Sequence, residues 1–273
     1  MNKILSIKQL APNVKEYVLE APLVTKHCKP GQFVIVIVDE DGERVPFTIA
    51  DFDKDAGTIT ILVQEVGYST LRLGQLSVGD SVYAFAGPLG NPTDLSEYKK
   101  VVLVGGGIGT AVIFPQAKNL HNLGNPADVI IGAREKSLIM YEKEFLSNVE
   151  NLYIMTDDGS YGEKGFVTQK LKELLDSGKG YDAVFAVGPM PMMRAVANLT
   201  REYGIKTIVS MNSIMVDGTG MCGGCRLSVG GEIKYACVDG PEFDAHLIDF
   251  EEAMNRSGYY KEIEAEHKCR IRG

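Results

Sequence analysis

The sequence contains no tryptophan and only four histidines in 273 residues. His27, His121, His246 and His267 are scattered and read as ordinary surface or turn residues, so a histidine-built catalytic or metal centre has little to draw on. Positive charge is also in deficit: 28 Lys and Arg against 36 Asp and Glu leave a net charge of −8. That balance argues against general binding to nucleic acid or to an anionic membrane surface. No apolar run approaches the ~18 residues of a membrane helix. The opening segment, MNKILSIKQLAPNVKEYVLE, carries Lys3, Lys8 and Lys15 and no long apolar stretch, so it does not read as a secretory signal. A cytoplasmic protein is expected. Cysteines are few and odd in number: Cys28, Cys222, Cys225, Cys237 and Cys269. In a reducing compartment, three of them within sixteen residues suggest a metal group rather than a disulfide framework.

What is present is ordinary globular material, 45% hydrophobic and 23% charged, enough to bury a core without covalent staples. The texture changes twice along the chain. Residues 1–98 show short β-rich runs, Phe33–Val38, Thr58–Val63 and Ser81–Phe85, broken by turn signals such as Asp41-Gly42 and Lys29-Pro30-Gly31. They predict a small antiparallel barrel or sandwich, ended by a loop over Gly87–Pro92. Residues 99–210 alternate apolar runs (Val101–Val104, Val129–Ile131, Ala183–Val187, Thr207–Val209) with helix-like stretches such as Thr110–Leu123 and Thr168–Ser177. That alternation predicts an α/β domain with a parallel sheet covered on both faces. Residues 211–273 are glycine- and cysteine-rich and end in a charged, helix-like tail around Asp249–His267. The expected fold class is β plus α/β, in three consecutive parts.

The third part carries the most chemistry. Val216-Asp-Gly-Thr-Gly-Met-Cys-Gly-Gly-Cys-Arg226 is followed by Cys237, giving C-x2-C-x11-C. Plant-type [2Fe–2S] sites use C-x4-C-x2-C, and the first position of that template falls here on Asp217. A carboxylate is a harder ligand than a thiolate and still holds ferric iron. The glycines around it let the backbone aim N–H groups at sulfur. The rival is a zinc knuckle built from the three cysteines with Asp217 or His246. Cys28 and Cys269 stand alone and are expected to carry no chemistry.

Two nucleotide signatures precede it. Arg44-Val-Pro46-Phe47-Thr48 suits a flavin nucleotide, with a guanidinium for pyrophosphate and a hydroxyl for the ring edge. The turn Gly67-Tyr-Ser69-Thr70-Leu71 can offer N–H groups and hydroxyls to the same phosphates. The plainer readings are an edge strand with a solvated arginine and a surface turn. Further on, a buried strand runs into Gly105-Gly106-Gly107-Ile-Gly109-Thr110 and a helix, which lets backbone approach a pyrophosphate. The fingerprint is not G-x-G-x-x-G, because its sixth position is Thr110. Arg134 and Glu135 follow the next strand, where an adenosine ribose would lie, and address a 2′-phosphate or a 2′-hydroxyl respectively. Gly188-Pro189-Met190 ends another strand and faces a nicotinamide position, and Asp157 sits in a polar loop at a further strand end. Tight turns, a solvated charge pair and methionine core filling are the plainer alternatives.

Taken in order, these motifs resemble the ferredoxin–NADP reductase superfamily, in the iron–sulfur flavoprotein branch that includes the electron-transfer subunit of dihydroorotate dehydrogenase B. The resemblance spans nearly the whole chain. It implies FAD in the N-terminal barrel, NAD(H) in the middle domain and a [2Fe–2S] cluster at the C-terminus, with no side chain as the catalyst. Two departures matter: Asp217 stands where the dihydroorotate-type subunits are expected to have Cys, and Val187 precedes Gly188-Pro189 where many reductases have Cys. Both resemble the small subunit family of NADH-dependent reduced ferredoxin:NADP oxidoreductase, or sulfide dehydrogenase. In that family three Cys and one Asp hold the cluster, and a larger flavoprotein subunit is the partner. By that resemblance the cluster falls to Asp217, Cys222, Cys225 and Cys237. The flavin falls to Arg44, Pro46, Phe47, Thr48, Gly67, Ser69, Thr70 and Leu71. Ferredoxin is reached only through the partner. The alternatives are a dihydroorotate dehydrogenase B electron-transfer subunit, a zinc-containing protein on a nucleotide fold, and a module of a larger NAD-linked complex such as a multimeric hydrogenase.

Overall fold

The computed structural model describes residues 2–259. Backbone contacts divide the chain into two compact units. One comprises Met1–Asn91, Asn212–Pro241 and the segment from Asp249, the other Pro92–Met211 and Glu242–Ile248. This partition differs from three consecutive domains. The C-terminal segment does not stand apart; most of it packs with the first unit and a short piece joins the sheet of the second.

The first unit is built on an antiparallel sheet. Its strands are β1 (Asn2–Ala11), β2 (Val14–Glu20), β3 (Phe33–Ile37), β4 (Val45–Asp53), β5 (Thr58–Gln64), β6 (Ser81–Val82) and β7 (Ala84–Leu89), in the order β6-β1-β2-β5-β4-β3-β7. Two short helices, α1 (Pro22–Thr25) and α2 (Tyr68–Leu73), lie in the connections. Side chains two residues apart turn inward together, as a half-buried strand requires. Val34 and Val36, Phe47 and Ile49, and Ile59, Ile61 and Val63 meet Ile4, Tyr17 and Leu19 in one core. Each fully buried aliphatic side chain contributes about 1.5–3 kcal/mol there.

Ser81–Phe85, expected as one strand, is two. β6 lies on one edge of the sheet and β7 on the other, with only Tyr83 between them. The chain thus ties the two edges together at Tyr83 and nearly closes the barrel, leaving β6 and β7 as short edge strands. The expected loop at Gly87–Pro92 is shortened from its front, because β7 continues through Gly87 and Pro88 to Leu89. A proline is tolerated there because β7 is an edge strand.

The second unit is a parallel sheet with helices. Its elements are β8 (Val101–Gly106), α3 (Gly109–Asn122), β9 (Asp128–Ala133), α4 (Glu142–Leu146), β10 (Asn151–Thr156), β11 (Glu163–Lys164), α5 (Val167–Asp176), β12 (Ala183–Val187), α6 (Met190–Tyr203) and β13 (Lys206–Ser210). All of β8 and β12 is buried, as strands covered on both faces must be. The strand order β11-β10-β9-β8-β12-β13 reverses direction between β8 and β12. Such a reversal opens a crevice at the carboxyl ends of the strands, the usual ligand position of an open α/β sheet. At the opposite end Asp128 is buried and accepts hydrogen bonds from Asn151, Tyr181 and Lys179. Burial alone would raise its pKa; those donors outweigh it and leave the carboxyl below its ordinary value.

The C-terminal segment adds a hairpin, β14 (Arg226–Val229) and β15 (Glu232–Tyr235), then β16 (Glu242–Asp244), which pairs antiparallel with β13 at the edge of the parallel sheet. α7 (Phe250–Arg256) starts at Asp249, whose carboxylate caps the N–H of Glu252 at 2.9 Å. The remainder of the expected helical tail, with His267 and Cys269, lies outside the described residues. Among the described residues no helix is long and apolar enough to cross a membrane.

Candidate functional site

The parallel-sheet unit gathers four of the sequence motifs at the carboxyl ends of adjacent strands. The glycine loop leaves β8, Arg134 and Glu135 leave β9, Asp157 leaves β10, and Gly188-Pro189-Met190 leaves β12. Backbone bonds stitch them: Gly107 N–H to the Gly132 carbonyl at 2.9 Å, Asp157 N–H to Ala133 at 3.1 Å, and Asp158 N–H to Arg134 at 3.2 Å. Arg134, Glu135 and Asp157 are exposed, free to meet a ligand, and Glu135 also accepts from Ser137.

The glycines are spent on close approach. A Cβ on Gly106 would lie 2.4 Å from Met192 Sδ, and one on Gly188 would lie 3.1 Å from the Gly106 Cα. A Cβ on Gly105 would lie 3.0 Å from the Thr110 Cα. Thr110, at the position where the G-x-G-x-x-G pattern has glycine, is buried in the first turn of α3. These glycines let the loop pack tightly on its own neighbours, while a Cβ on Gly107 would meet nothing within 4 Å, so open backbone, the requirement for a dinucleotide pyrophosphate, is offered there.

On the barrel, Arg44 precedes β4, and alternation puts Arg44, Pro46 and Thr48 on one face. Phe47 points the other way, into the barrel core. Gly67 heads α2 and, with Val66, donates its N–H to Thr70 Oγ1, at 2.9 and 3.0 Å. Ser69 donates to Glu43, and Leu71 is half-buried. The Thr70 hydroxyl is thus committed within the turn and that of Ser69 to Glu43, while Pro46 and Thr48 remain half-exposed.

The cysteine segment lies on the same unit. Gly218 has φ +81°, and a Cβ there would lie 2.8 Å from Ile35 of β3, so the loop is pressed onto the barrel wall. Cys225 and Cys237 are buried with their sulfurs 3.2 Å apart, and the Cys237 N–H donates to the Cys225 sulfur at 3.4 Å. Cys222 is exposed and its sulfur accepts the Gly224 N–H at 3.4 Å. That bond leads the influences that lower the Cys222 pKa. Burial, then the Cys225 thiol beside it, push Cys237 up to about 12. Two buried thiols this close ionise together only with a cation between them, which is the chemistry of an iron- or zinc-binding pair.

Asp217 keeps its carboxyl below the ordinary range, chiefly through bonds from the Thr219 side chain and N–H. Among the described residues no three His, Cys, Asp or Glu side chains converge on one metal position. The donor set nonetheless fits a sulfur-rich cluster by type: two buried sulfurs, a third with a backbone donor, and a carboxylate on one loop. His246, the other zinc ligand considered, is engaged instead with Thr200 at 3.0 Å.

Sequence reasoning missed three partners. Arg44 bonds the Asp217 carbonyl, and no local signal joins residues so far apart. Thr219 bonds the Asp217 carboxylate, which the Asp-x-Thr spacing of a side-chain turn announces. Glu242, bonded by Thr93, carries a carboxyl that burial pushes up to about 8, and nothing in the sequence marks it.

The iron–sulfur cluster binding domain of dihydroorotate dehydrogenase B matches residues 212–249. The chain is 42% identical to the dihydroorotate dehydrogenase B (NAD(+)) electron transfer subunit homolog of Thermotoga maritima, over 97% of this chain and 93% of that one. It is 34% identical to the dihydroorotate dehydrogenase B (NAD(+)) electron transfer subunit of a Geobacillus species, over 87% of this chain and 93% of that one. It is also similar to a chain of the NADH-dependent reduced ferredoxin–NADP oxidoreductase structure, solved in a study of flavin-based electron bifurcation. There the identity is 40%, the TM-score 0.95, and the match covers 100% of this chain and 98% of the other. The chain belongs to the family of electron-transfer subunits that includes those of dihydroorotate dehydrogenase B.

Proposed function

We propose that the chain is the FAD- and [2Fe–2S]-carrying subunit of an NADH-dependent ferredoxin:NADP oxidoreductase, exchanging hydride with NAD(H) and passing single electrons to a larger flavoprotein partner. When bound, FAD takes up a hydride and gives electrons up singly, and the cluster carries one at a time, so the pair converts two-electron into one-electron chemistry. The residues divide the work. The loop from Gly105 to Thr110 and the turn at Gly188-Pro189-Met190 hold the dinucleotide in the crevice between β8 and β12, with Arg134, Glu135 and Asp157 at its adenosine side. Arg44, Pro46, Phe47, Thr48, Gly67, Ser69, Thr70 and Leu71 hold the flavin, Phe47 through its backbone alone, since its side chain lies in the barrel core. Asp217, Cys222, Cys225 and Cys237 hold the cluster.

The observation that carries the reading is the carboxylate at position 217 on a loop whose buried sulfurs are 3.2 Å apart, in a chain alike over its full length to one from a bifurcating enzyme. The loop is also apolar at its surface. Val216, Met221 and Val238 are exposed, Met221 next to Cys222 and Val238 next to Cys237, and Met221 keeps 87% of its area open. Apolar side chains held in water at a redox loop suit a protein partner.

The second reading is an electron-transfer subunit of dihydroorotate dehydrogenase B, favoured by the match over residues 212–249. Anaerobic purification of the native complex separates the two. The first reading expects a large flavoprotein partner and bleaching of the flavin by NADH. Dihydroorotate-dependent reduction of the complex would instead establish the second.

A further inference from the structure

The Asp217 loop is held by bonds that no ligand requires. The Arg44 guanidinium donates from both Nε and Nη2 to the Asp217 carbonyl, at 3.1 and 2.9 Å. Gly218, the next residue, is buried against Ile35. The main chain of Asp217 is therefore fixed from two sides by the barrel. Its carboxylate is fixed separately: Oδ2 accepts from Thr219 N–H at 2.8 Å, Thr219 Oγ1 at 2.5 Å and Met221 N–H at 3.2 Å. No donor among the described residues addresses Oδ1.

We propose that Arg44 and Thr219 are positioning residues for Asp217, Arg44 fixing its main chain and Thr219 its Oδ2, so that Oδ1 is the atom presented to iron. The inference rests on Asp217 being a cluster ligand. Carboxylates that bind metals are oriented by such outer hydrogen bonds, which also set how strongly the bound oxygen donates. Three donors on Oδ2 draw negative charge away from Oδ1. The cation of Arg44, held at the Asp217 carbonyl, favours the more negative, reduced cluster. Both effects raise the cluster potential, so removing either lowers it. Arg44 thereby also ties the strand bearing the flavin motif to the cluster loop, a role beyond pyrophosphate binding.

The test compares Asp217→Asn, Thr219→Val, Thr219→Ser, Arg44→Lys and Arg44→Met in the purified holoprotein. The readouts are the cluster midpoint potential, the electron paramagnetic resonance spectrum of the reduced protein, and iron and flavin content. Thr219→Val is expected to shift the potential to more negative values and change the spectrum, and Thr219→Ser to restore both. Arg44→Met is expected to lower the potential further than Arg44→Lys, which keeps the charge and loses the two-pronged grip. Loss of iron from Thr219→Val with flavin retained, and its recovery in Thr219→Ser, supports the proposal equally. A changed Asp217→Asn spectrum with a silent Thr219→Val overturns the positioning role alone. Flavin loss from both Arg44 variants with an unmoved cluster confines Arg44 to the flavin and overturns its share. A silent Asp217→Asn overturns the ligand reading itself, and the proposal with it.

Discussion

A side-chain carbon on Gly109 would lie 2.2 Å from the carbonyl oxygen of Val187. The first turn of α3 and the end of β12 therefore touch backbone to backbone, and the crevice between β8 and β12 owes its shape to that contact. Gly109→Ala forces one of the two backbones to move. Overpacking of this kind costs about 1–3 kcal/mol. The expected result is a lower melting temperature together with weaker NADH binding, measured by calorimetry and fluorescence titration. Unchanged values of both would show that the crevice does not depend on the contact.

Glu135 is exposed at the end of β9, beside Arg134. Its carboxylate accepts from a ribose 2′-hydroxyl and repels a 2′-phosphate. Glu135→Gln is expected to shift the ratio of NADH to NADPH affinities about tenfold toward NADPH, equivalent to roughly 1.4 kcal/mol. Dissociation constants for the two nucleotides check it, and an unmoved ratio removes Glu135 from the ribose site.

Glu242 makes stability depend on pH. Burial, only partly offset by the Thr93 hydrogen bond, moves its carboxyl from the ordinary 4.5 to about 8. The folded state thus favours the protonated form. The associated stability is complete below about pH 4.5 and is lost as pH rises through about 8. Glu242→Gln keeps an acceptor for Thr93 and cannot ionise. The melting temperature of the natural protein should fall more steeply than that of the variant between about pH 5 and about pH 9. Parallel curves would count against a buried neutral carboxyl.

The barrel and the parallel sheet were legible because both announce themselves as short apolar runs, bounded by turn signals in the barrel and separated by helix-like stretches in the parallel sheet. Phe33–Val38, Thr58–Val63, Val101–Val104 and Ala183–Val187 each fall on a strand. β1 and β2 escaped because their charged residues, Lys8, Lys15 and Glu16 among them, dilute the alternation. The break at Tyr83 escaped because it follows from closure of the sheet, which local sequence does not encode. At the candidate site, glycine spacing placed the crevice motifs on their strand ends. The Arg44–Asp217 bond spans 173 positions and required the folded chain. Thr93 and Glu242 are likewise brought together by the sheet edge rather than by a motif.

Cysteine position should decide iron retention. Cys225→Ser removes one of the paired buried sulfurs and is expected to lose most bound iron while flavin stays. Cys28 is buried in the barrel core, away from the paired sulfurs in role. Cys28→Ala is expected to cost about 1 kcal/mol through lost packing and to keep the iron. Iron analysis and melting curves on the two variants check both outcomes.

The central claim, that this chain joins a flavin to an iron–sulfur cluster, is tested most directly by analysing the anaerobically purified protein for metal, acid-labile sulfide and flavin. The account predicts about two irons and two sulfides per chain with one FAD, and a paramagnetic signal on reduction. Zinc in place of iron, with no sulfide and no flavin, would contradict it.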